Sequence, residues 1–229
     1  MPHWFEHTLL ALDLETTGLD PLEDRIVQAA VALVAADGSV CDTSWDGIVD
    51  PGVPIPVRAS DIHGITTDRA RREGIPPVEA LRHIARLVDD AEVGGIPLVI
   101  YNAPFDWPFV LAEAQRHGVR LAKPEIIDPL VIDRAVDRYR RGSRRLGAVA
   151  AHYDHDLGQT HDARADAIAA AAIARAVGTQ YPDVGGVTPR ALQPLQATWH
   201  AAHADSLSRH LGKPIDHGWP LPRNAEHLA

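Results

Sequence analysis

Two acids interrupt an apolar run near the start of the chain, in "LALDLETTGLD" at residues 10–20. Side chains alternate across a strand, so Asp13 and Glu15 share one face while Leu12 and Leu14 point to the other. Carboxylates held side by side repel, and one of them takes a raised pKa unless a cation sits between them. Thr16, Thr17 and Gly18 follow directly. They offer hydroxyls and an unhindered backbone, which suit a ligand carrying phosphate or sugar oxygens. The solvated side of a sheet also tolerates such a pair, so the D-x-E acquires meaning only from partners elsewhere. One candidate is Asp106 in "NAPFD", at a helix start directly after an apolar strand. An acid there suits the helix dipole, and strand ends are where α/β sheets place their sites. The other candidate is "HDARAD", with His161 and Asp166. Within one ideal helix these two would diverge by about 140°. They address one site only if His161 lies at or before the helix start, for which Thr160 and Asp162 are suitable caps.

The elements that must position these residues follow from periodicity. Residues 8–15, 26–35 and 45–49 read as three strands in succession, which favours an antiparallel meander. "ASDIHGITTDRARREG" reads as a loop and a short helix. "PPVEALRHIARLVDDA" carries apolar residues at helical spacing, with prolines at its start and "GG" at its end. Residues 97–101 form a short buried strand. "NAPFDWPFVLAEAQRHG" is a helix with Pro104 in its first turn and Gly118 as its cap, and Pro108 falls in the first turn or kinks it. "EIIDPLVIDRAVD" runs from an extended segment into a helix, and "SRRLGAVAAHYD" is another short helix. "THDARADAIAAAAIARAVG" is a strong helix that Gly178 is expected to stop. Strands first, then helices with interspersed strands, predict an α/β sheet with helices packed on it. "YPDVGGVTPR" reads as a linker to a last helical stretch, "ALQPLQATWHAAHADSLSRHLG".

Composition narrows the classes. The 229 residues suit one domain with an appendage, and 45% hydrophobic content supplies a core. A formal net charge of −9 argues against nucleic-acid binding through a broad basic surface. It permits nucleic acid as a substrate where metal ions supply local positive charge. The thirteen histidines are mostly scattered singly. The single cysteine, Cys41, excludes an intramolecular disulfide. No apolar run is long enough to span a membrane, and "MPHWFEHTLL" lacks the basic and apolar regions expected of a signal peptide. A cytoplasmic protein without membrane contact is expected. There is no P-loop or G-x-G-x-x-G.

In combination, the order D-x-E, then N-A-x-F-D, then H-x-x-x-x-D resembles the DnaQ-like 3′–5′ exonuclease superfamily, in its histidine-containing DEDDh branch. "DLETTGLDP", "QAAVALV", "IHGIT", "YNAPFD", "LGAVAAHY" and "HDARADA" are similar to blocks of the bacterial DNA polymerase III epsilon subunit, over about residues 8–178. The resemblance implies an RNase H-like α/β fold: a mixed five-stranded sheet, first three strands antiparallel, flanked by helices. The domain would be 1–178, with 179–229 a linker and a helical extension that packs on it or meets a partner. Asp13, Glu15, Asp106 and Asp166 become metal-binding carboxylates for two Mg²⁺ or Mn²⁺ ions, and His161 the general base. Leu14, Thr16, Thr17, Gly18, His63, Asn102 and Phe105 become substrate-binding residues. The implied substrate is nucleic acid with a free 3′ end, DNA favoured over RNA by "DLETTGL", and the implied protein partner is a DNA polymerase. An RNA-directed enzyme on the same scaffold and a non-catalytic module binding a polymerase are the alternatives. Tyr101, where many relatives carry histidine, and Gly147, where aspartate is frequent, depart from the pattern and bear on substrate fit.

Overall fold

The computed structural model describes residues 3–155 and 162–228. Strands β1 (Leu9–Thr16), β2 (Ile26–Val34), β3 (Trp45–Ile48), β4 (Leu98–Val99) and β5 (Ile126–Ile127) form a single sheet in the order β3-β2-β1-β4-β5. β1 pairs antiparallel with β2, and β2 with β3; β4 runs parallel to both β1 and β5. The helices are α1 (Val57–His63), α2 (Thr67–Glu73), α3 (Pro77–Val93), α4 (Ala103–His117), α5 (Pro129–Val136), α6 (Leu146–His152), α7 (Ala163–Gln180), α8 (Pro182–Gly185) and α9 (Pro189–Leu211). This is the mixed five-stranded α/β architecture that the resemblance implied.

β1 is central and covered on both faces, which is why it reads as an almost continuous apolar run. Leu9 and Ala11 pack with Ala167, Ala170, Ala171 and Ala174 of α7. The alanines let that helix lie close to the sheet. Leu10, Leu12 and Leu14 pack on the opposite face with Leu81, Ile84 and Val88 of α3 and with Phe109 and Val110 of α4. Leu9, Leu10 and Leu12 are fully buried, and each contributes about 1.5–3 kcal/mol by leaving water.

Several local expectations change. The 97–101 strand shrinks to Leu98–Val99, because Asn102 adopts a left-handed conformation at φ 70° and turns the chain into α4. The segment expected as a loop and one short helix holds two, α1 and α2. Gly64 at φ 72° ends the first, and Thr66 caps the second by accepting from the Arg69 N–H at 3.2 Å. Pro108 lies inside α4 beyond its first turn. Gly178 does not stop α7, which continues to Gln180. Its role is close approach: a Cβ there would stand 2.5 Å from Phe5 Cδ1. "YPDVGGVTPR" is packed rather than extended. It forms α8 and the start of α9, and the carbonyls of Val184 and Gly185 accept hydrogen bonds from Trp4 Nε1 and His3 Nδ1 respectively.

β5 is an edge strand, and unpaired edge groups invite unwanted pairing. Here α9 covers it. Gln193 accepts from the Ile126 N–H at 3.1 Å, Gln193 and Gln196 both donate to the Ile126 carbonyl, and Gln196 accepts from the Asp128 N–H at 2.7 Å. Among the described residues, no helix is long and apolar enough to cross a membrane.

Candidate active site

Asp13 and Glu15 continue the face of β1 that Leu9 and Ala11 turn toward α7. That helix begins at Ala163, so its first turn, which holds Asp166, stands over the acid-bearing end of the strand. One carboxylate oxygen from each of Asp13, Glu15 and Asp166 lies within 4.8 Å of the others. Directly after Glu15 the β1–β2 register shifts: Glu15 faces Gln28 while Thr16 faces Ile26. Such a bulge bends the ladder and re-aims side chains at the edge of a site. Asp162 caps α7 by accepting from the Ala165 N–H at 3.1 Å.

Asp106 is not part of that triad, but it lines the same cleft. It lies buried in the first turn of α4, and its Oδ1 accepts the Leu14 backbone N–H at 3.1 Å. One oxygen thus anchors the helix to β1 beside the acid pair. The turn that delivers Asp106 is held by Asp128, which is fully buried. Its carboxylate accepts the N–H groups of Asn102 at 3.0 Å, Ala103 at 2.9 Å and Leu130 at 3.0 Å, and Trp219 Nε1–H at 3.2 Å. Asp128 is a positioning residue that the sequence reading did not single out. Its signal was "IIDP", an acid before proline after two apolar residues, which is an N-cap with Pro at the first helical position.

The acids raise one another's pKa. Burial pushes Asp13 well above the usual carboxylate range, and the charges of Asp106, Asp166, Glu15 and Asp162 push it further. Burial, then Asp166 and Asp162, bring Glu15 up to about 7. Burial also raises Asp106, against the lowering effect of the Leu14 N–H. A cation relieves such repulsion. Oxygens on an octahedral ion with bonds of about 2.0–2.1 Å lie about 2.9–4.2 Å apart, so the triad closes on Mg²⁺ or Mn²⁺ with small side-chain adjustments. An all-carboxylate donor set suits hard ions of this kind. The residues present therefore fit a divalent metal ion.

These carboxylates, Asn102 and Phe105 line a cleft of about 530 Å³. A smaller hollow of about 310 Å³ adjoins it, bordered by Thr16, Thr17, Gly18 and His63. Leu14, Glu15 and Phe105 line both. The seven residues expected to contact substrate thus border one hollow or the other. The threonine hydroxyls are not simply offered to a ligand. Thr16 donates to the Gly18 carbonyl at 2.7 Å and Thr17 to Asp24 Oδ1 at 3.1 Å, so both shape the turn. Gly18 leaves room for that carboxylate: a Cβ would stand 2.3 Å from Asp24 Oδ2. His63 is buried at the end of α1, and its Nδ1 accepts the Ile65 N–H at 3.1 Å. Tyr101 donates its hydroxyl to the Arg144 carbonyl at 2.6 Å. His161 lies outside the described residues. Arg134, Arg144 and Arg145 also line the cleft. Sequence reading passed over them, although Arg144 and Arg145 close a visible run of arginines in "DRYRRGSRR".

The profile of the exonuclease family matches residues 10–174. The chain belongs to the exonuclease family. The chain is 30% identical over 175 residues to a DNA polymerase III subunit epsilon-like protein of Rhodobacter capsulatus, a match covering 72% of this chain and 23% of that protein. It is 28% identical over 167 residues to the PolC-type DNA polymerase III of Listeria innocua, covering 73% of this chain and 11% of the polymerase. The chain thus spans a minor part of these relatives. Exonuclease I of E. coli, solved in complex with a dA16 oligonucleotide, superposes with a TM-score of 0.65 at 23% identity, over 79% of this chain and 42% of that one. That likeness carries the RNase H-like fold.

Proposed function

We propose that this exonuclease removes nucleoside 5′-monophosphates from the 3′ end of DNA, using two divalent cations and His161 as general base. The observation that carries the reading is the convergence of Asp13, Glu15 and Asp166 within 4.8 Å, with Asp106 lining the same cleft. DNA is favoured because the matched segments of the relatives belong to proteins named for DNA polymerase III.

When bound, divalent cations supply Lewis acidity to the attacking water and the departing 3′ oxygen. Asp13, Glu15, Asp106 and Asp166 would hold them. Four carboxylates nearly balance two such ions, which leaves the cleft neutral enough to admit a phosphodiester in a chain of net charge −9. Asp106 spends one oxygen on the Leu14 N–H, and this bond fixes its remaining oxygen relative to β1. The hollow under Leu14, His63 and Phe105 receives the terminal nucleoside and excludes water from it. His161 takes the proton of the attacking water on a ring nitrogen. The water oxygen bonds to phosphorus as the P–O3′ bond breaks, the terminal nucleotide leaves with its 5′-phosphate, and the 3′ oxygen takes a proton from solvent to become the hydroxyl of the shortened strand.

A 5′-labelled single-stranded oligodeoxynucleotide should give a ladder shortened from its 3′ end, with Mg²⁺ or Mn²⁺ and not in excess chelator. His161→Ala should lower the rate severely while Mn²⁺ binding persists. Unchanged digestion with chelator present, or by Asp13→Ala, would sink the reading. Faster digestion of an RNA of the same sequence would reassign the substrate.

A further inference from the structure

A further cavity, about 620 Å³, lies beside the catalytic cleft and has no part in the chemistry above. Arg134, Arg138, Arg140 and Arg144 line it from α5 and the segment after it, and Trp199 and His203 line it from α9. Arg134 and Arg144 also line the catalytic cleft, so the two spaces share a wall.

Its charge balance is unusual for this acidic chain. Four arginines meet Asp133 and Asp137, and the charge of the buried Asp128 also acts on Arg134. The buried Asp133 pairs with Arg140, at 2.7 Å from Nη2, and with Arg144. Asp137 pairs with Arg140 Nε at 2.8 Å. These bonds orient Arg140 and Arg144 without cancelling the cleft's charge. The Arg134 side chain makes no hydrogen bond or ion pair with the described residues, and its guanidinium is partly buried. Arg138 is exposed and lies 5.8 Å from the Tyr139 ring centroid. The field reaches His203, whose pKa is lowered first by burial and then by Arg134, His200 and Arg144. An excess of guanidinium groups beside a half-buried indole matches the two features of a polynucleotide strand: regularly spaced phosphates and stackable bases. A negatively charged protein needs such local focusing to hold a polyanion.

We propose that the arginine-lined cleft between α5 and α9 binds the single-stranded stretch of nucleic acid that leads to the scissile end. This rests on the reading of the neighbouring cleft as the 3′-end site. Continuity with that cleft favours the substrate strand over an acidic protein segment. The C-terminal helix α9 thereby becomes one wall of the substrate path.

The test is binding in EDTA, where hydrolysis is suppressed, followed by anisotropy of 5′-fluorescein oligodeoxynucleotides of 2, 4, 8 and 12 nucleotides. The wild-type affinity should rise with length. Arg138→Glu, an exposed substitution that leaves the core intact, should shrink the ratio of 12-mer to dinucleotide affinity at least tenfold. Trp199→Leu should shrink it about fivefold, in line with one lost stacking contact. Arg138→Ala should flatten the logarithmic salt dependence by about 0.7, the slope of one phosphate contact to a single strand. Wild-type length and salt dependence in both Arg138 variants would overturn the proposal. So would an octaglutamate peptide that binds this cleft more tightly than the 12-mer. Wild-type protein that digests no 3′ end in Mg²⁺ defeats the proposed function itself. Normal digestion with unaltered length dependence in the variants defeats only the strand path.

Discussion

Asp13 feels the charge of four other carboxylates, and each raises its pKa on top of the effect of burial. Nothing in the fold's stability calls for such a group. Asp13→Asn removes repulsion while keeping the side-chain shape. The metal-free variant should therefore melt about 2–4 °C higher than wild type at pH 8, as expected for about 1 kcal/mol in a domain of this size. Its exonuclease rate should fall by orders of magnitude. A lower melting temperature would mean that Asp13 supports the fold through contacts rather than strains it. Glu15 gives the corresponding pH dependence. Its pKa rises from an ordinary 4.5 to about 7, so the folded state holds the proton more tightly than the unfolded chain does. Its contribution is fully favourable below about pH 4.5 and is lost as pH rises through about 7. Mg²⁺ binds the charged form, so it should raise the melting temperature of the protein more at pH 8 than at pH 5.5. Equal increments at both pH values would contradict the raised Glu15.

At the scale of elements, the site is an intersection of three backbone ends: the acid-bearing end of β1 just before the register shift, the first turn of α4 and the first turn of α7. Each end has a local device that fixes it. Asp128 ties the turn into α4, Asp162 caps α7, and the register shift after Glu15 bends the β1–β2 ladder. At its far end α7 is seated by Gly178 against Phe5. Gly178→Ala adds a methyl group where the ring lies, and should cost about 1–3 kcal/mol by overpacking. Denaturant unfolding measures it, and the loss should shrink in a Phe5→Ala background. A substitution that stabilised the wild-type background, as helix propensity alone would have it, would show that the ring moves freely.

Across the whole molecule, the C-terminal segment and the site are joined through one buried network. Gln196 on α9 and Trp219 beyond it both bond Asp128, which in turn holds the start of α4. Asp128→Ala strands several buried N–H groups and should cost about 3–5 kcal/mol, while Gln196→Leu should cost about 1–3 kcal/mol. The double variant should lose less than the sum, because both substitutions break one network. Additive losses in denaturant unfolding would show two independent supports. Asp128→Asn retains half of the acceptor geometry and should keep more activity than Asp128→Ala.

The sequence by itself determined much of this protein. Apolar runs bounded by turn residues marked β1 and β2, helical spacing of apolar residues marked α3, and composition with flanking proline, glycine and capping residues marked α4 and α7. The acids of "DLET", "FD" and "RAD" were legible because carboxylates are out of place in apolar surroundings. Other features waited for the tertiary structure. Gly178 reads as a helix stop until Phe5, far away in the chain, is seen against it. Thr16 and Thr17 read as ligand hydroxyls until Gly18 and Asp24 are found to accept their protons. Asp128 has the composition of an ordinary cap, and its hold on Asn102 and Ala103 depends on two strands lying side by side. The arginines of residues 134–145 carry no periodicity, and the net charge of −9 concealed them. Only the packing of α9 beside α5 turns them into a cleft next to the acids. Local chemistry is written in residue types, whereas closeness, burial and the field at a point are sums over residues that the chain keeps apart and the fold brings together.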